Sequence, residues 1–378
     1  MKRLLSLLFC ALFAVSLCGC SQKAPGGEHD FSSPFSSASA DNEYKPRSSY
    51  KMIIPPDGYV PEVIESTPGS VPEKPLPAAN GAFQISGTRL VDANGNEFIM
   101  RGVNHAHVWY KSELENALDG IAATGANCVR VVFADGDQWE RVTASELQSV
   151  IEKCAERRLV MIAEIHDTTG KEDIAALDRA VDCWIEVKDV LNAYSDKVIL
   201  NIANEWLGTW DSAKWQEGYT AAVPKLRKAG ITNTIMVDAG GWGQHGASVA
   251  EAGKAVFESD PDRNTMFSIH MYGTAGGSSA TITQNLKGAT DQGLCVVVGE
   301  FGWNHSDGDV DEAFIMQYCE QNSLGYIAWS WKGNSGGVEY LDIARDWRGE
   351  TLSAEWGEPL VNGANGIKAT SKICSVFE

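Results

Sequence analysis

The sequence has 378 residues, 44% of them hydrophobic and 21% charged, which suits a mostly globular chain of one large domain or two small ones. Acidic residues number 50 against 31 basic ones, a formal net charge of −19. A surface of that sign repels phosphate backbones and anionic headgroups, so nucleic acid is excluded as the main partner, while a neutral polymer meets no such repulsion.

Met1 to Cys20 reads as a secretory signal. Lys2 and Arg3 form a positive start, and the apolar run Leu4–Leu17 is too short to span a bilayer comfortably. It ends Leu17-Cys18-Gly19-Cys20, similar to the bacterial lipobox, which implies lipidation of Cys20 and a protein anchored at the cell surface. The membrane is then met only through that lipid. An ordinary signal peptide with an incidental cysteine is the alternative. Residues 21–79 are rich in Ser, Pro, Gly and acidic residues and show no sustained apolar period, the composition of a flexible tether. As a coil it would span about 40–45 Å root-mean-square.

The remaining chain, 80–378, forms one domain. Phe83 to Phe98 contains Asn94-Gly95 between apolar positions, a hairpin signal, and a small hairpin cap is expected there. Eight short apolar runs follow: Phe98–Val103, Asn127–Phe133, Leu159–His166, Lys197–Asn204, Thr234–Asp238, Thr265–His270, Leu294–Glu300 and Tyr326–Trp331. Between them lie segments with helical apolar spacing, such as Leu114–Ala123, Ser145–Arg157, Ile174–Ala193, Ala213–Lys228 and Glu312–Gln321. Near-continuous strands alternating with helices predict an α/β fold, a closed (β/α)8 TIM barrel, with an open doubly wound sheet as the alternative. A last helix is expected near Ala369–Phe377.

Six cysteines lie beyond the signal. Cys128 and Cys295 sit in apolar runs and read as small core residues. Cys154, Cys183, Cys319 and Cys374 leave room for one disulfide with no pairing to argue. No C-x-x-C occurs, which argues against a zinc ribbon or thioredoxin-type site. Gly241-Trp242-Gly243-Gln244-His245-Gly246 fits G-x-G-x-x-G, but it follows the fifth strand and holds bulky Trp and His, so a dinucleotide site is not expected.

Enzymes on this barrel place their chemistry at the C-terminal strand ends. Here those ends carry Asn104-His105-Ala106-His107-Val108-Trp109, Arg130, Glu164-Ile165-His166-Asp167, Asn204-Glu205-Trp206, Gly240-Gly241-Trp242, His270-Met271-Tyr272, Gly299-Glu300 and Trp329-Ser330-Trp331. Twelve tryptophans add flat apolar faces of the kind on which sugar rings stack. Glu205 and Glu300 end strands four and seven, on opposite sides of a closed barrel, where two carboxylates can face each other across a sugar. The gap between them, which separates retaining from inverting chemistry, is not readable from sequence.

Asn204-Glu205 after strand four and Glu300 after strand seven resemble the retaining glycosidases of clan A. With Arg130, His166, His270, Tyr272 and Trp329, the set resembles glycoside hydrolase family 5, the cellulase–mannanase family, over residue 80 to the end. Asn104-His105-Ala106-His107, Asn204-Glu205-Trp206, His270-Met271-Tyr272, Gly308-Asp309-Val310-Asp311-Glu312 and Trp329-Ser330-Trp331-Lys332-Gly333-Asn334 are similar to the family's bacterial β-mannanases. The resemblance implies Glu205 as acid/base, Glu300 as nucleophile and cleavage of a β-1,4-linked polysaccharide, mannan or, as the alternative, glucan. A non-catalytic glycan-binding lipoprotein and an unrelated barrel enzyme of aldolase or decarboxylase type are the other readings.

Arg130 and Tyr272 are expected to support the Glu300 carboxylate, and Trp206 to supply an apolar neighbour to Glu205. Asn204 is expected at the sugar 2-hydroxyl, Trp329 under the ring being cleaved, and His166 and His270 as orienting groups. His105, Trp109 and Trp331 complete the expected substrate contacts, with His105 and His107 placed on one face of a strand. No metal or other cofactor and a monomer are expected. The loop Gly273–Gly277 departs from the pattern: it is small, reads as flexible, and has no aromatic.

Overall fold

The computed structural model describes residues 81–378. The expected signal with Cys20, and the tether over 21–79, lie outside the described residues. Among the described residues no helix is long and apolar enough to cross a membrane.

Strands β1 (Gln84–Ser86) and β2 (Arg89–Val91) form an antiparallel hairpin. The hairpin turns at Gly87-Thr88, not at Asn94-Gly95. Asn94-Gly95 instead makes the next turn, where the Asp92 carboxylate accepts the N–H groups of Asn94 and Asn96. An aspartate that bonds its own backbone a few residues on competes with the hairpin role of Asn-Gly.

The barrel then builds up in chain order. β3 (Arg101–His105), α1 (Leu114–Ala123), β4 (Cys128–Phe133) and α2 (Ala144–Glu156) come first. β5 (Val160–Ile165) leads to α3 (Ile174–Glu186) and α4 (Lys188–Ala193), then β6 (Val198–Asn201), α5 (Ser212–Ala229), β7 (Ile235–Asp238) and α6 (Gly246–Ser259). β8 (Thr265–Met271) precedes α7 (Gly273–Gly276), α8 (Ser279–Thr290) and β9 (Val296–Phe301). A two-residue pair, β10 (Asn304–His305) and β11 (Gly308–Asp309), leads to α9 (Glu312–Gln321), β12 (Gly325–Ala328), α10 (Gly357–Asn362) and α11 (Ile367–Thr370). The parallel strands close in the order β12-β3-β4-β5-β6-β7-β8-β9, so the closed barrel is realised and the open sheet is not.

Helix starts follow capping chemistry. Thr143, Asp173, Asp211, Ser278 and Asp311 each accept an N–H from the first turn of α2, α3, α5, α8 and α9. Gly230, at φ +94°, ends α5 in the left-handed conformation that glycine adopts without strain. The segment expected as one helix over Ile174–Ala193 breaks at β-branched Val187, whose ψ of 12° leaves the helical region. The helix expected over Ala369–Phe377 is broken into the end of α11 and a 3-10 turn over Ser375–Phe377. α11 stops at Thr370, because the following backbone is held elsewhere: the Lys372 carbonyl accepts from Asn127, and Ser375 bonds Asp92.

Alternation along each strand makes two apolar layers. Cys128, Val160, Ile162, Ile199, Met236, Met266, Val297 and Ile327 fill the barrel, closed at its N-terminal end by Phe83, Phe98 and Cys374 from the hairpin and the chain end. Val129, Met161, Leu200, Val237 and Phe267 face outward into the helix layer. All six cysteines of the domain are buried and free, so the disulfide allowed by the sequence is absent there.

Candidate active site

Inside the barrel, just below its C-terminal mouth, a fully buried guanidinium organises four strands. Arg130 on β4 donates to Glu300 Oε1 at 2.8 Å, Asn104 Oδ1 at 3.0 Å, Asn201 Oδ1 at 2.8 Å and Asn204 Oδ1 at 2.7 Å. Asp238 Oδ2 and Glu164 Oε1 lie 3.5 and 3.7 Å from it. Burial opposes its charge, but Glu164, Glu300 and Asp238 outweigh that and hold its pKa above the ordinary arginine value. A buried cation persists only when so surrounded.

Glu300, at the end of β9, also accepts the Tyr272 hydroxyl on Oε2 at 2.8 Å. Burial pushes its carboxyl above the usual range; His270 and Arg130 pull it back, and the charge of Glu205 adds to the push. The donors Arg130 and Tyr272 both bond the ionised form. Across the mouth Glu205 Oε1 is hydrogen-bonded to His270 Nδ1 at 2.8 Å. Glu205 stands four residues beyond the end of β6 with φ +47°, a conformation that costs a non-glycine residue about 1–3 kcal/mol and persists only when its surroundings impose it. Its N–H is held by Asp238 Oδ2 at 3.0 Å. One oxygen of Glu205, one of Glu300 and a ring nitrogen of His270 all lie within 4.8 Å of one another. Such a set has the donor types of a metal site, but Arg130 and His270 already bring positive charge against both carboxylates.

His270 sits where β8 bulges against β9, between Ile269 and His270, which turns its ring into the mouth. Nε2 lies 3.4 Å from Asp238 and Nδ1 3.6 Å from Glu300. Burial works against its charge, yet Glu300, Asp238 and Glu205 together raise its pKa to about 9. Gly243 explains part of the glycine-rich loop after β7. Its backbone, at φ +71°, lies so close to the His270 ring that a Cβ would come within 2.6 Å of it.

His166 is bonded to Glu164 at 3.0 Å and stacks on Trp329, centroids 5.5 Å apart at 19°. Burial opposes its charge too, and Glu164 and Glu300 raise its pKa nonetheless. Trp329 is 7% exposed, its indole N–H fixed on Asn334 Oδ1. Trp109 reaches the same edge, in edge-to-face contact with His166 and Trp139. The site thus gathers Arg130, His166, Asn204, Glu205, His270, Tyr272, Glu300, Trp329 and Trp109.

Three expected contacts lie elsewhere. On β3, Asn104 takes the inward face, so His105 must point outward, where it is fully buried beside Trp347 and His107. Burial, with His107 adding, lowers its pKa to about 3, so it stays neutral. His107 has left the strand for a 3-10 turn, so the two do not share a strand face. Trp206 turns away from Glu205 into the helix layer, its N–H on the Asp173 carbonyl and its ring over Gly218 and Tyr219. Trp331 does likewise, bonded to the Trp347 carbonyl against Gly120. All three are core residues.

Asp238, Asn201 and Trp139 were not singled out from sequence, and Glu164 was marked only as part of a strand end. Asp238 ends a strand, the same signal that marked Glu205 and Glu300. Trp139 lies inside a loop, where no periodicity marks it. The loop Gly273–Gly277 is small but anchored: Asp307 accepts the N–H groups of Gly273 and Thr274, and Gln244 that of Ala275.

A family model, Cellulase (glycosyl hydrolase family 5), matches residues 91–335. The chain is similar to the mannan endo-1,4-β-mannosidase of Salipaludibacillus agaradhaerens, 50% identical over 295 residues, 78% of this chain and 96% of that one. It is also similar to the mannan endo-1,4-β-mannosidase of Streptomyces lividans, 44% identical over 304 residues, 79% of each chain. Among solved structures it resembles the mannohexaose complex of Thermomonospora fusca β-mannanase, at 42% identity and a TM-score of 0.74, over 79% of this chain and 99% of that one.

Proposed function

The chain belongs to glycosyl hydrolase family 5, the cellulase family, and from that premise we propose that it cuts internal β-1,4-mannosidic bonds of mannan by double displacement. Glu300 attacks the anomeric carbon while Glu205 gives its proton to the departing glycosidic oxygen, leaving a glycosyl ester on Glu300. Glu205 then takes a proton from water as that water attacks the same carbon, and Glu300 leaves as a carboxylate.

The observation that carries this reading is the pairing of Glu205 and Glu300, with one oxygen of each within 4.8 Å of the other. That favours retention, for which the carboxyl groups stand about 5–5.5 Å apart, over inversion, which needs about 6.5–9.5 Å to admit a water. Arg130 and Tyr272 support Glu300 as the nucleophile by bonding its ionised form. His270 orients Glu205 and not Glu300, since its Nδ1 is 2.8 Å from the first and 3.6 Å from the second. Trp329 offers a ring face at the mouth for the sugar that reacts. Mannan is favoured over glucan by the similarity to two mannosidases across most of their length.

The lipobox-like end of Met1–Cys20 supports export and anchoring through Cys20, with the polymer met outside the cell.

The test is release of reducing ends from galactomannan and, separately, from carboxymethyl-cellulose, with Glu300→Ala as the blank. Release from galactomannan that the variant lacks is the expected result. Release mainly from cellulose moves the substrate to glucan, and silence on both from the folded protein defeats the reading.

A further inference from the structure

The Tyr272 hydroxyl meets Glu300 Oε2 at 2.8 Å, but a bond from a side chain is only as well placed as the ring that carries it. Tyr272 stands just past the end of β8 and leads into α7, so its backbone is not held by the barrel ladder. The ring is buried all the same. His305 covers one face of it, the imidazole stacked on the phenol with centroids 4.4 Å apart and planes 29° apart.

His305 is held in turn. β10 and β11 pair Asn304 with Asp309 and His305 with Gly308, and Asp307 stands in the turn between them. Asp307 Oδ1 is hydrogen-bonded to His305 Nδ1 at 2.7 Å. The same carboxylate accepts the N–H of Gly273 at 3.0 Å and the N–H and hydroxyl of Thr274 at 2.9 and 2.8 Å. It also accepts the side-chain amide of Gln244 at 3.1 Å. The segments after β7, β8 and β9 therefore meet on one acid. Burial opposes its charge, but the bonds from His305 and Thr274 outweigh that and hold its carboxyl well below the usual range, so it stays an acceptor. Gly273, the residue after Tyr272, packs so closely on Asp307 and Gly308 that a Cβ would not fit. Asp307 thus fixes the backbone beside Tyr272 and, through His305, the face of its ring.

We propose that His305, anchored by Asp307, is a positioning residue that acts through Tyr272, keeping the phenol hydroxyl on Oε2 of Glu300. This rests on the reading of Glu300 as the nucleophile. A hydroxyl that donates to a carboxylate favours its ionised form, and does so only at bonding distance. A ring free to tilt carries the hydroxyl out of reach. Glu300 then holds a proton more readily and is less often ready to attack. The other groups that set its charge are Arg130 from β4, His166 after β5, Glu205 after β6 and His270 from β8, and all four are present in every variant below.

The test is a double-mutant cycle on the full chain with mannohexaose. It uses His305→Ala, His305→Phe, Tyr272→Phe and the combined Tyr272→Phe/His305→Ala, each read as kcat, KM and the pH profile of kcat/KM. The acid limb of that profile reports loss of the proton from the nucleophile in the free enzyme. For His305→Ala, kcat falls about tenfold, the size expected when a hydrogen bond to a charged group is lost. KM stays as it was, and the acid limb moves to higher pH. His305→Phe, which keeps a flat ring on Tyr272 and carries no charge, restores most of both. Once Tyr272→Phe has removed the hydroxyl, adding His305→Ala costs nothing further, because the two residues act as one unit. A full extra loss in the combined variant would make His305 an independent support of its loop and overturn the proposal, while leaving Glu300 as the nucleophile. A rise in KM alone, an unmoved acid limb, or a His305→Phe as impaired as His305→Ala would overturn it too. No effect of Tyr272→Phe would defeat the support of Glu300 by Tyr272 and the proposal with it. If the wild type cleaves cellohexaose instead, the mannan reading fails while the same cycle on cellohexaose still decides the role of His305. A wild type inactive on both sinks both.

Discussion

At the scale of residues, the site depends on which carboxylate is bonded to what. Glu300 is bonded by Arg130 and Tyr272, both of which favour a charged oxygen, whereas Glu205 is bonded by His270 and held at φ +47° through its N–H on Asp238. The asymmetry supports different roles for two residues of the same type. Glu205→Gln removes the proton donor and leaves Glu300 and its donors in place. We expect kcat on mannan to fall about 10²–10⁴-fold, the range for loss of a general acid. An aryl mannobioside whose leaving group needs no proton should lose far less in its first step, seen as a burst of aryl alcohol in stopped flow. Equal losses on both substrates would argue against Glu205 as the acid. Much at this scale was legible, because a carboxylate, an arginine or a histidine closing an apolar strand is out of place unless it is used. His105, Trp206 and Trp331 misled for a geometric reason: beside a strand end, consecutive residues point in opposite directions, and composition does not say which one faces the mouth.

At the scale of elements, the loop between β4 and α2 brings Trp139 to the mouth and rests on two buried acids. Asp167 accepts the N–H groups of Asp135, Gly136 and Asp137 on Oδ2 and that of Gln138 on Oδ1. Asp135 accepts from Asp137 N–H and faces Asp167, with Arg179 contributing positive charge nearby. Burial first, then the bond to Asp167 and its charge, raise the Asp135 pKa from 3.8 to about 7. The sign follows from linkage. A carboxyl whose pKa is raised on folding favours the folded state fully below its unfolded value, near pH 4, and that contribution is lost as pH rises through about 7. Asp135→Asn keeps the side-chain oxygen and abolishes the titration. Between pH 4 and pH 8 its Tm should therefore fall less than that of the wild type, by about 2–4 °C or more, in paired thermal melts. Parallel slopes would show that Asp135 does not titrate in this window. None of this was legible beforehand, because a pair 32 residues apart in sequence meets only once β4 and β5 are neighbours. The strand ends were similarly approximate. β6 stops at Asn201, short of the expected Asn204, because Asn204 and Glu205 are drawn into a turn by Arg130 and Asp238.

At the scale of the whole domain, the two ends of the barrel are built for different purposes. The N-terminal end is closed by Phe83, whose carbonyl accepts from Thr234 and Asn264, and is held by Arg227 with both oxygens of Asp260 and three carbonyls. The C-terminal end concentrates unfavourable features: buried like charges, a left-handed glutamate and an exposed tryptophan. That division is what this barrel leads one to expect, since strain tolerated at the mouth is offset by packing below. The strand–helix alternation made the architecture readable from periodicity alone, but the distance between two carboxylates on opposite strands depends on closure and side-chain direction, which periodicity does not carry. That distance decides between retention and inversion. Proton NMR of mannohexaose, followed from the first seconds of cleavage by the wild-type protein, reads it out as stereochemistry. New reducing ends should appear first as the β-anomer, with α accumulating only at the rate of mutarotation. New ends that appear first as the α-anomer would mean inversion, and would contradict the assignment of Glu300 as a nucleophile paired with Glu205.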